Sequence, residues 1–262
     1  MRLARGSGAV PQGPAGPRQG QGEQDRRAPR VGQGQRQDQG RLCHRPRPGR
    51  DRGGGAQEAQ GGGGHMMLSE GVHPVPAGHV AAVVTHLEMT APAAPRPEYG
   101  TESLTLDRIE TPDPAWYQAL FRSVGADWLW FSRLRLAPSD LAQIIQDPAV
   151  EVHVLRDDTQ EAGLLELDFR TAGQCELAYF GLTSEMVGSG AGRFLMNRAL
   201  ELAWRDGITR FHVHTCTLDH PAALDFYMRS GFQATAREIE IAPDPRLTGD
   251  LPRAAAPQVP IL

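Results

Sequence analysis

Two rhythms of apolar residues run through the chain from Leu104 onward. Alternation of period two marks "LTLDRIE" (Leu104–Glu110), "VEVHVLR" (Val150–Arg156), "EAGLLELDFR" (Glu161–Arg170), "CELAYFGL" (Cys175–Leu182), "RFHVHTCT" and "FQATAREIEI" as strands. The polar loops "DDTQ" and "TAGQ" are short enough to join three of these as antiparallel hairpins. Helical spacing takes over elsewhere. "TPDPAWYQALFRSVG" opens on Pro and Asp, sets Trp116, Leu120 and Phe121 at helical intervals and stops at Gly125. "APSDLAQIIQDP" is a second helix, closed by Pro148. Gly190–Arg205 carries a stripe of Leu195, Ala199 and Leu202, widened by Met196, Leu200 and Ala203. "HPAALDFYMRSG" has Pro221 early and Gly231 just past its end. The order β-α-α-β-β-β-α-β-α-β predicts an α+β (mixed α/β) fold, a mixed central sheet flanked by helices with one parallel crossover. Ahead of it, "VPAGHVAAVVTHLEM" (Val75–Met89) is apolar, but its period does not separate a strand from a helical turn.

Composition bounds where this pattern can form a core. All sixteen aromatic residues lie between Tyr99 and Phe232. Residues 1–65 are a low-complexity run of Gly, Gln, Pro and Arg, too poor in apolar groups to offset chain entropy, and are expected to be disordered. Three origins compete: an Arg-Gly RNA-binding tail, a targeting peptide, or upstream sequence read from a misplaced start with Met66 or Met67 as the true first residue. The run lacks an apolar signal core and is poor in Ser, and composition favours the misplaced start. The domain organisation read from the sequence is therefore a tail (1–65), an extension and linker (66–98), a folded domain (99–241) and a proline-rich tail (242–262) extended over the surface.

The tail's twelve Arg against five acidic residues carry +7 of a chain total of −4, so residues 66–262 are formally −11. That field repels nucleic acid and favours cationic partners. Lysine is absent, and all 27 basic residues are Arg, which excludes a P-loop lysine and a Schiff-base lysine. Cys43, Cys175 and Cys216 form no C-x-x-C pair, and no apolar run approaches membrane-spanning length; a cytoplasmic protein with no membrane partner, monomeric or homodimeric, is expected.

The chemistry concentrates in "EMVGSGAGRFLMNRAL" (Glu185–Leu200). Glycines at 188, 190 and 192 precede a helix, and a helix N-terminus offers unpaired N–H groups and a positive dipole end to phosphate. A dinucleotide fingerprint would need a third glycine at 193, where Arg193 stands. The run resembles the acetyl-CoA motif Q/R-x-x-G-x-G/A of the GCN5-related N-acetyltransferases, matching at Gly190 and Gly192 and departing at Val187. "LDHPAALDFYMRSGF" (Leu218–Phe232) resembles the family's N-x-x-A-x-x-x-Y-x-x-x-G-F, with His220 in the Asn position and Ala223, Tyr227, Gly231 and Phe232 matching. "DWLWFSR" and "HTCTLDHP" are similar to a bacterial subgroup.

The resemblance implies an acyltransferase that moves an acetyl group from acetyl-CoA to a primary amine, of a small molecule or a protein, by direct attack in a ternary complex. The alternative is a catalytically degenerate CoA-binding module for regulation or interaction. It also implies roles. Amides of Gly188, Ser189, Gly190, Ala191, Gly192 and Arg193, with Val187 at the motif's first position, hold the pyrophosphate. Phe180, Gly181 and Leu182 contact acyl-CoA, and His220 and Ala223 border it. Tyr227 is the general acid for the leaving thiolate, and Glu176, eleven residues before Val187, stands where the general base of one branch lies. Trp128, Trp130 and Phe131 form a wall of the acceptor cleft. Glu166 and Asp168, which share a strand face, could hold the substrate ammonium or simply face water. His212, His214, Cys216 and His220 lack metal-ligand spacing, so no metal is expected; His214 and His220 suit second-tier hydrogen bonds.

Overall fold

The alternating segments pair into one seven-stranded sheet. In a computed structural model that describes residues 68–262, the strands are β1 (His79–Met89), β2 (Leu104–Ile109), β3 (Val150–Asp157), β4 (Gln160–Asp168), β5 (Gln174–Leu182), β6 (Arg210–Cys216) and β7 (Gln233–Pro243), in the order β2-β3-β4-β5-β6-β1-β7. The expectations for residues 1–65, Cys43 among them, lie outside the described residues. The β2–β5 meander is antiparallel, β5 and β6 are parallel, and β1 runs antiparallel to both β6 and β7. This is the mixed sheet with a single parallel crossover that the sequence predicts.

The helices are α1 (Pro114–Gly125), α2 (Pro138–Ile145), α3 (Ala191–Ala203), α4 (Ala223–Arg229) and α5 (Pro245–Thr248). α1 begins where Asp113 accepts hydrogen bonds from the N–H groups of Ala115 and Trp116, with Pro114 pre-set at the first helical position. Its buried face, Tyr117, Leu120, Phe121 and Val124, packs with Leu141 and Ile145 of α2 against Val152, Val154 and Leu164 of the sheet. α3 lays Leu195, Met196, Ala199 and Ala203 on the opposite face, against Leu165, Leu167, Leu177 and Phe211. Two layers of helix thus sandwich the sheet.

Two segments take up more structure than their composition suggests. The stretch 66–98, read as extension and linker, contains β1, which is paired along both edges: Leu87 faces Val213 on one side and Ala234 on the other. Alternate residues of β1 are buried on each face, a pattern that became visible only with both neighbours present. The proline-rich end, expected to run extended over the surface, instead buries Leu251, Ala255 and Ala256 beneath β1 and Phe131. Arg246 anchors it. That guanidinium is 6% exposed, pairs with Asp244 at 2.7 Å and donates to the carbonyls of Ala255, Ala256 and Val259. One arginine thereby satisfies backbone acceptors that prolines leave without a ladder.

Candidate active site

The parallel pairing of β5 and β6 is brief. It covers Gln174–Glu176 against Arg210–His212 and then stops, although β5 continues to Leu182 and β6 to Cys216. The two strands part into a wedge, and a cavity of about 550 Å³ occupies it. At one end stands the glycine loop and at the other the aromatic run after α1.

The loop end is built from backbone. Gly188 and Gly190 have φ of 87° and 99°, the left-handed region that favours glycine, and a side chain on Gly190 would press on the Tyr99 carbonyl at 3.1 Å. The N–H groups then divide by parity. Ser189 N–H donates to the Met186 carbonyl, Ala191 N–H to Ser189 Oγ, and Arg193 N–H to the Gly190 carbonyl. Those of Gly188, Gly190 and Gly192 have no protein partner among the described residues. The alternating glycines therefore carry the alternating open donors at the start of α3, an arrangement that fits a diphosphate. Val187, 47% exposed, and Leu182 complete this end. Ser189 and Ala191 do not line the cavity; their groups cap one another instead. The Arg193 guanidinium lines it while donating to the Pro97 carbonyl at 2.8 Å.

The middle is aromatic. Phe180, Phe226 and Tyr227 meet in tilted and edge-on contacts with centroids 5.7 to 6.1 Å apart, and Tyr227 is 7% exposed. Ala223 and Gly181 also line this part. Gly181 has no room for a side chain: a Cβ would sit 2.4 Å from Val124 Cγ1 and 3.0 Å from Trp130 Cη2. His220, standing where the motif has Asn, accepts the Ala222 N–H on Nδ1 at 3.1 Å. An imidazole nitrogen thus takes the hydrogen bond an amide oxygen would accept, and it holds the chain entering α4.

The far end depends on side chains that reach across the fold. Leu129, 2% exposed, adopts a left-handed φ of 55°, at a cost of about 1–2 kcal/mol, and both of its Trp neighbours line the cavity. Trp130 donates its indole N–H to Asp219 Oδ1 at 3.0 Å, while Asp219 Oδ2 accepts from Thr215 Oγ1 and the Cys216 N–H. Trp128 meets the His220 ring edge-on at 5.1 Å. Ser132 and Tyr179 share a short hydrogen bond in the same wall.

Four further sequence candidates, Phe131, Glu166, Asp168 and Glu176, do not line the cavity. Phe131 is 1% exposed and packs under the Arg135 guanidinium in the C-terminal core, because the turn at Leu129 sends it away from its Trp neighbours. Glu166 is fully buried, with Arg133 donating to one carboxylate oxygen and the Tyr117 hydroxyl to the other. Burial, together with Glu166, raises the Tyr117 phenol well above its usual range, so it remains a donor. Asp168 forms a close pair with Arg170 at 2.6 Å and accepts the Arg170 N–H. These two carboxylates do share a strand, but a shift of register between Glu166 and Leu167 upsets simple alternation, and each meets its own arginine. Glu176 does not line the cavity either. It lies behind His214, whose Nδ1 is 3.7 Å from Glu176 Oε1 and which does line it. Burial, followed by the nearby His86 and His212, holds His214 down to about 3, so its imidazole is neutral.

Asp219, Ser132, Tyr179 and Arg96 were not singled out from the sequence. For Asp219 a signal existed: Thr215 and Asp219 flank a turn ahead of Pro221, the pattern of an Asp that binds backbone N–H groups. Among the described residues no group of His, Cys, Asp or Glu could hold a metal ion, and no helix is long and apolar enough to cross a membrane.

Residues 113–232 match the family model described as "Acetyltransferase (GNAT) family". No curated protein matches the chain. Among solved structures, similarity is found to a conserved protein of unknown function from Staphylococcus epidermidis (13% identity over 64% of this chain and 64% of that one, TM-score 0.44). It extends to a GCN5-related N-acetyltransferase from Sphaerobacter thermophilus (17%, 63% and 52%, TM-score 0.47). A GCN5-related N-acetyltransferase from Kribbella flavida is a third (16%, 66% and 63%, TM-score 0.41). The chain thus spans less than two thirds of the length of each of these three.

Proposed function

The chain belongs to the acetyltransferase (GNAT) family through residues 113–232, and from that premise we propose that it transfers an acetyl group from acetyl-CoA to a primary amine, both bound in the wedge between β5 and β6. The observation that carries the reading is the row of alternate open N–H groups at Gly188, Gly190 and Gly192, which lines the same cavity as Tyr227. Acetyl-CoA supplies the activated thioester. The loop amides hold its pyrophosphate through main-chain donors, so the Val187 departure leaves those donors in place. The splayed strand edge of β5 at Phe180, Gly181 and Leu182 borders the path of the pantetheine arm. Tyr227 donates a proton to the leaving sulfur, the task of a positioned phenol.

The amine proton goes to Glu176 by way of His214. The imidazole, held down to about 3, does not keep the proton; it can only relay it to the carboxylate, whose Oε1 lies 3.7 Å from Nδ1. This moves the base role from Glu176 alone to the pair. The acceptor end supports a small amine bearing an aromatic or apolar group. Its walls are Trp128, Trp130, Leu129 and Leu218, and both oxygens of its one carboxylate, Asp219, are already engaged. Thiol release from acetyl-CoA, followed across a panel of amines from arylalkylamines to polyamines and peptide N-termini, tests the proposal. Turnover on arylalkylamines is expected. CoA binding with no turnover on any amine would leave a non-catalytic binding module, and no CoA binding would sink both readings.

A further inference from the structure

The strap that precedes β2 is fixed to the phosphate end of the cavity. Asn197 of α3, 2% exposed, grips the Arg96 backbone on both sides: its Oδ1 accepts the Arg96 N–H at 3.0 Å and its Nδ2 donates to the Arg96 carbonyl at 2.7 Å. Glu98 adds contacts to Asn197 and Arg198 at 2.6 and 2.9 Å, and the Pro97 carbonyl accepts from Arg193. The Arg96 backbone is therefore held on α3 as firmly as a strand residue. Its side chain is used differently. Three arginines line the cavity, Arg96, Arg193 and Arg229. Arg193 is spent on Pro97, and Arg229 faces Asp225 at 3.9 Å. The Arg96 guanidinium has no hydrogen-bond or ion-pair partner among the described residues, and the residue, half-buried, borders a crevice with α3 and Phe226.

We propose that Arg96, carried by the strap rather than by the glycine loop, is the side-chain cation that grips the phosphates of CoA, in place of the Gln or Arg that Val187 displaced. The inference rests on the CoA reading above. A guanidinium without a protein partner that still meets solvent at a cavity wall is free to take an anion, and a pinned backbone lowers the entropy lost when the anion arrives. The loop's open amides and Arg96 then converge on one anion from two separate chain segments.

Calorimetric titration of the full chain with CoA and with dephospho-CoA tests this. Arg96→Gln is expected to weaken CoA roughly tenfold to a hundredfold, the loss of one charge-assisted contact. If the deficit persists with dephospho-CoA, the pyrophosphate is the partner; if it vanishes, the 3′-phosphate is. Adding Val187→Arg to Arg96→Gln should recover much of the affinity, a rescue that a merely structural role for Arg96 would not show. Wild-type binding of CoA together with unchanged affinity in Arg96→Gln would overturn the inference and leave the CoA reading standing. Absence of wild-type CoA binding would remove the CoA reading itself. A loss in Arg96→Gln that Val187→Arg fails to rescue, with a lowered Tm, would overturn it in favour of a strap that only supports the fold.

Discussion

The two ends of the cavity are built from different materials. At the end proposed for phosphate the open groups are main-chain N–H donors of one continuous loop, Gly188 to Gly192. At the end proposed for the acceptor the walls are side chains brought from β5, the turn after β6 and the turn after α1, and held by Trp130–Asp219 and Ser132–Tyr179 bonds that join residues far apart in the chain. A local backbone motif tolerates almost any side-chain change except loss of its glycines. A cross-fold constellation depends on every member, and so it is where substrate choice can drift while the fold persists.

The largest effect is expected where the ends meet. Tyr227→Phe should lower kcat by about 10²- to 10⁴-fold while leaving CoA affinity unchanged, since the ring still packs on Phe180 and Phe232. Steady-state kinetics with a CoA titration would show it, and unchanged turnover would remove the acid role. Next is the support beneath the acceptor end. Glu166→Ala strands the buried Arg133 without its counter-charge and should cost about 3–5 kcal/mol of stability in urea unfolding. A cost below about 1 kcal/mol would mean that the pair is not the support described.

A pair of variants tests the division itself. Gly190→Val forces a β-branched residue to a φ of 99° beside the Tyr99 carbonyl, and it should cut CoA affinity at least tenfold while sparing acceptor KM. Asp219→Asn leaves Cys216 N–H or Thr215 Oγ1 facing an amide N–H₂, or frees Trp130, and should raise acceptor KM with little change in CoA affinity. If both variants move both constants, the ends are coupled and the comparison fails. The smallest effect concerns pH. The folded-state value of His214 lies below its free value of 6.5, so protonation favours the unfolded chain. Its contribution to stability is complete above about pH 6.5 and is lost as pH falls toward about 3. His153, lowered by burial, works in the same direction. Melting curves of His214→Gln should show a shallower acid limb than wild type.

The same contrast decides what the sequence could reveal. The loop's turn into α3 was legible because its glycines, Gly188, Gly190 and Gly192, are neighbours in the chain and in space. Strands β3 to β5 were legible because short polar loops join them as hairpins, and β6 because it alternates against a single buried face. β1 was ambiguous because its exposed positions, Ala81 and Val83, are as apolar as the buried ones beside them, and the buried parity slips at Val84 and Thr85, so the sequence shows no clean period. Glu166 and Asp168 were misplaced because alternation cannot show a register shift, nor can it show that an arginine waits on the buried side. Phe131 left the cavity on one left-handed residue, Leu129, whose conformation no propensity of leucine announces.

The position of β1 in the sheet also sets a timetable. His79–Met89 emerges from the ribosome well before either of its partners, since Val84 pairs with Cys216 and Glu238. Until the last third of the chain is made, "HVAAVVTHLEM" has neither edge satisfied, and closing so long a loop is slow by the entropy of the intervening chain. The meander β2–β5 can form first from its local hairpins. The half of the sheet that carries His214 then assembles last, as a single event that ties the first described strand to the last. During that interval β1 is the segment most exposed to mispairing with another chain, and the segment a chaperone would be expected to hold.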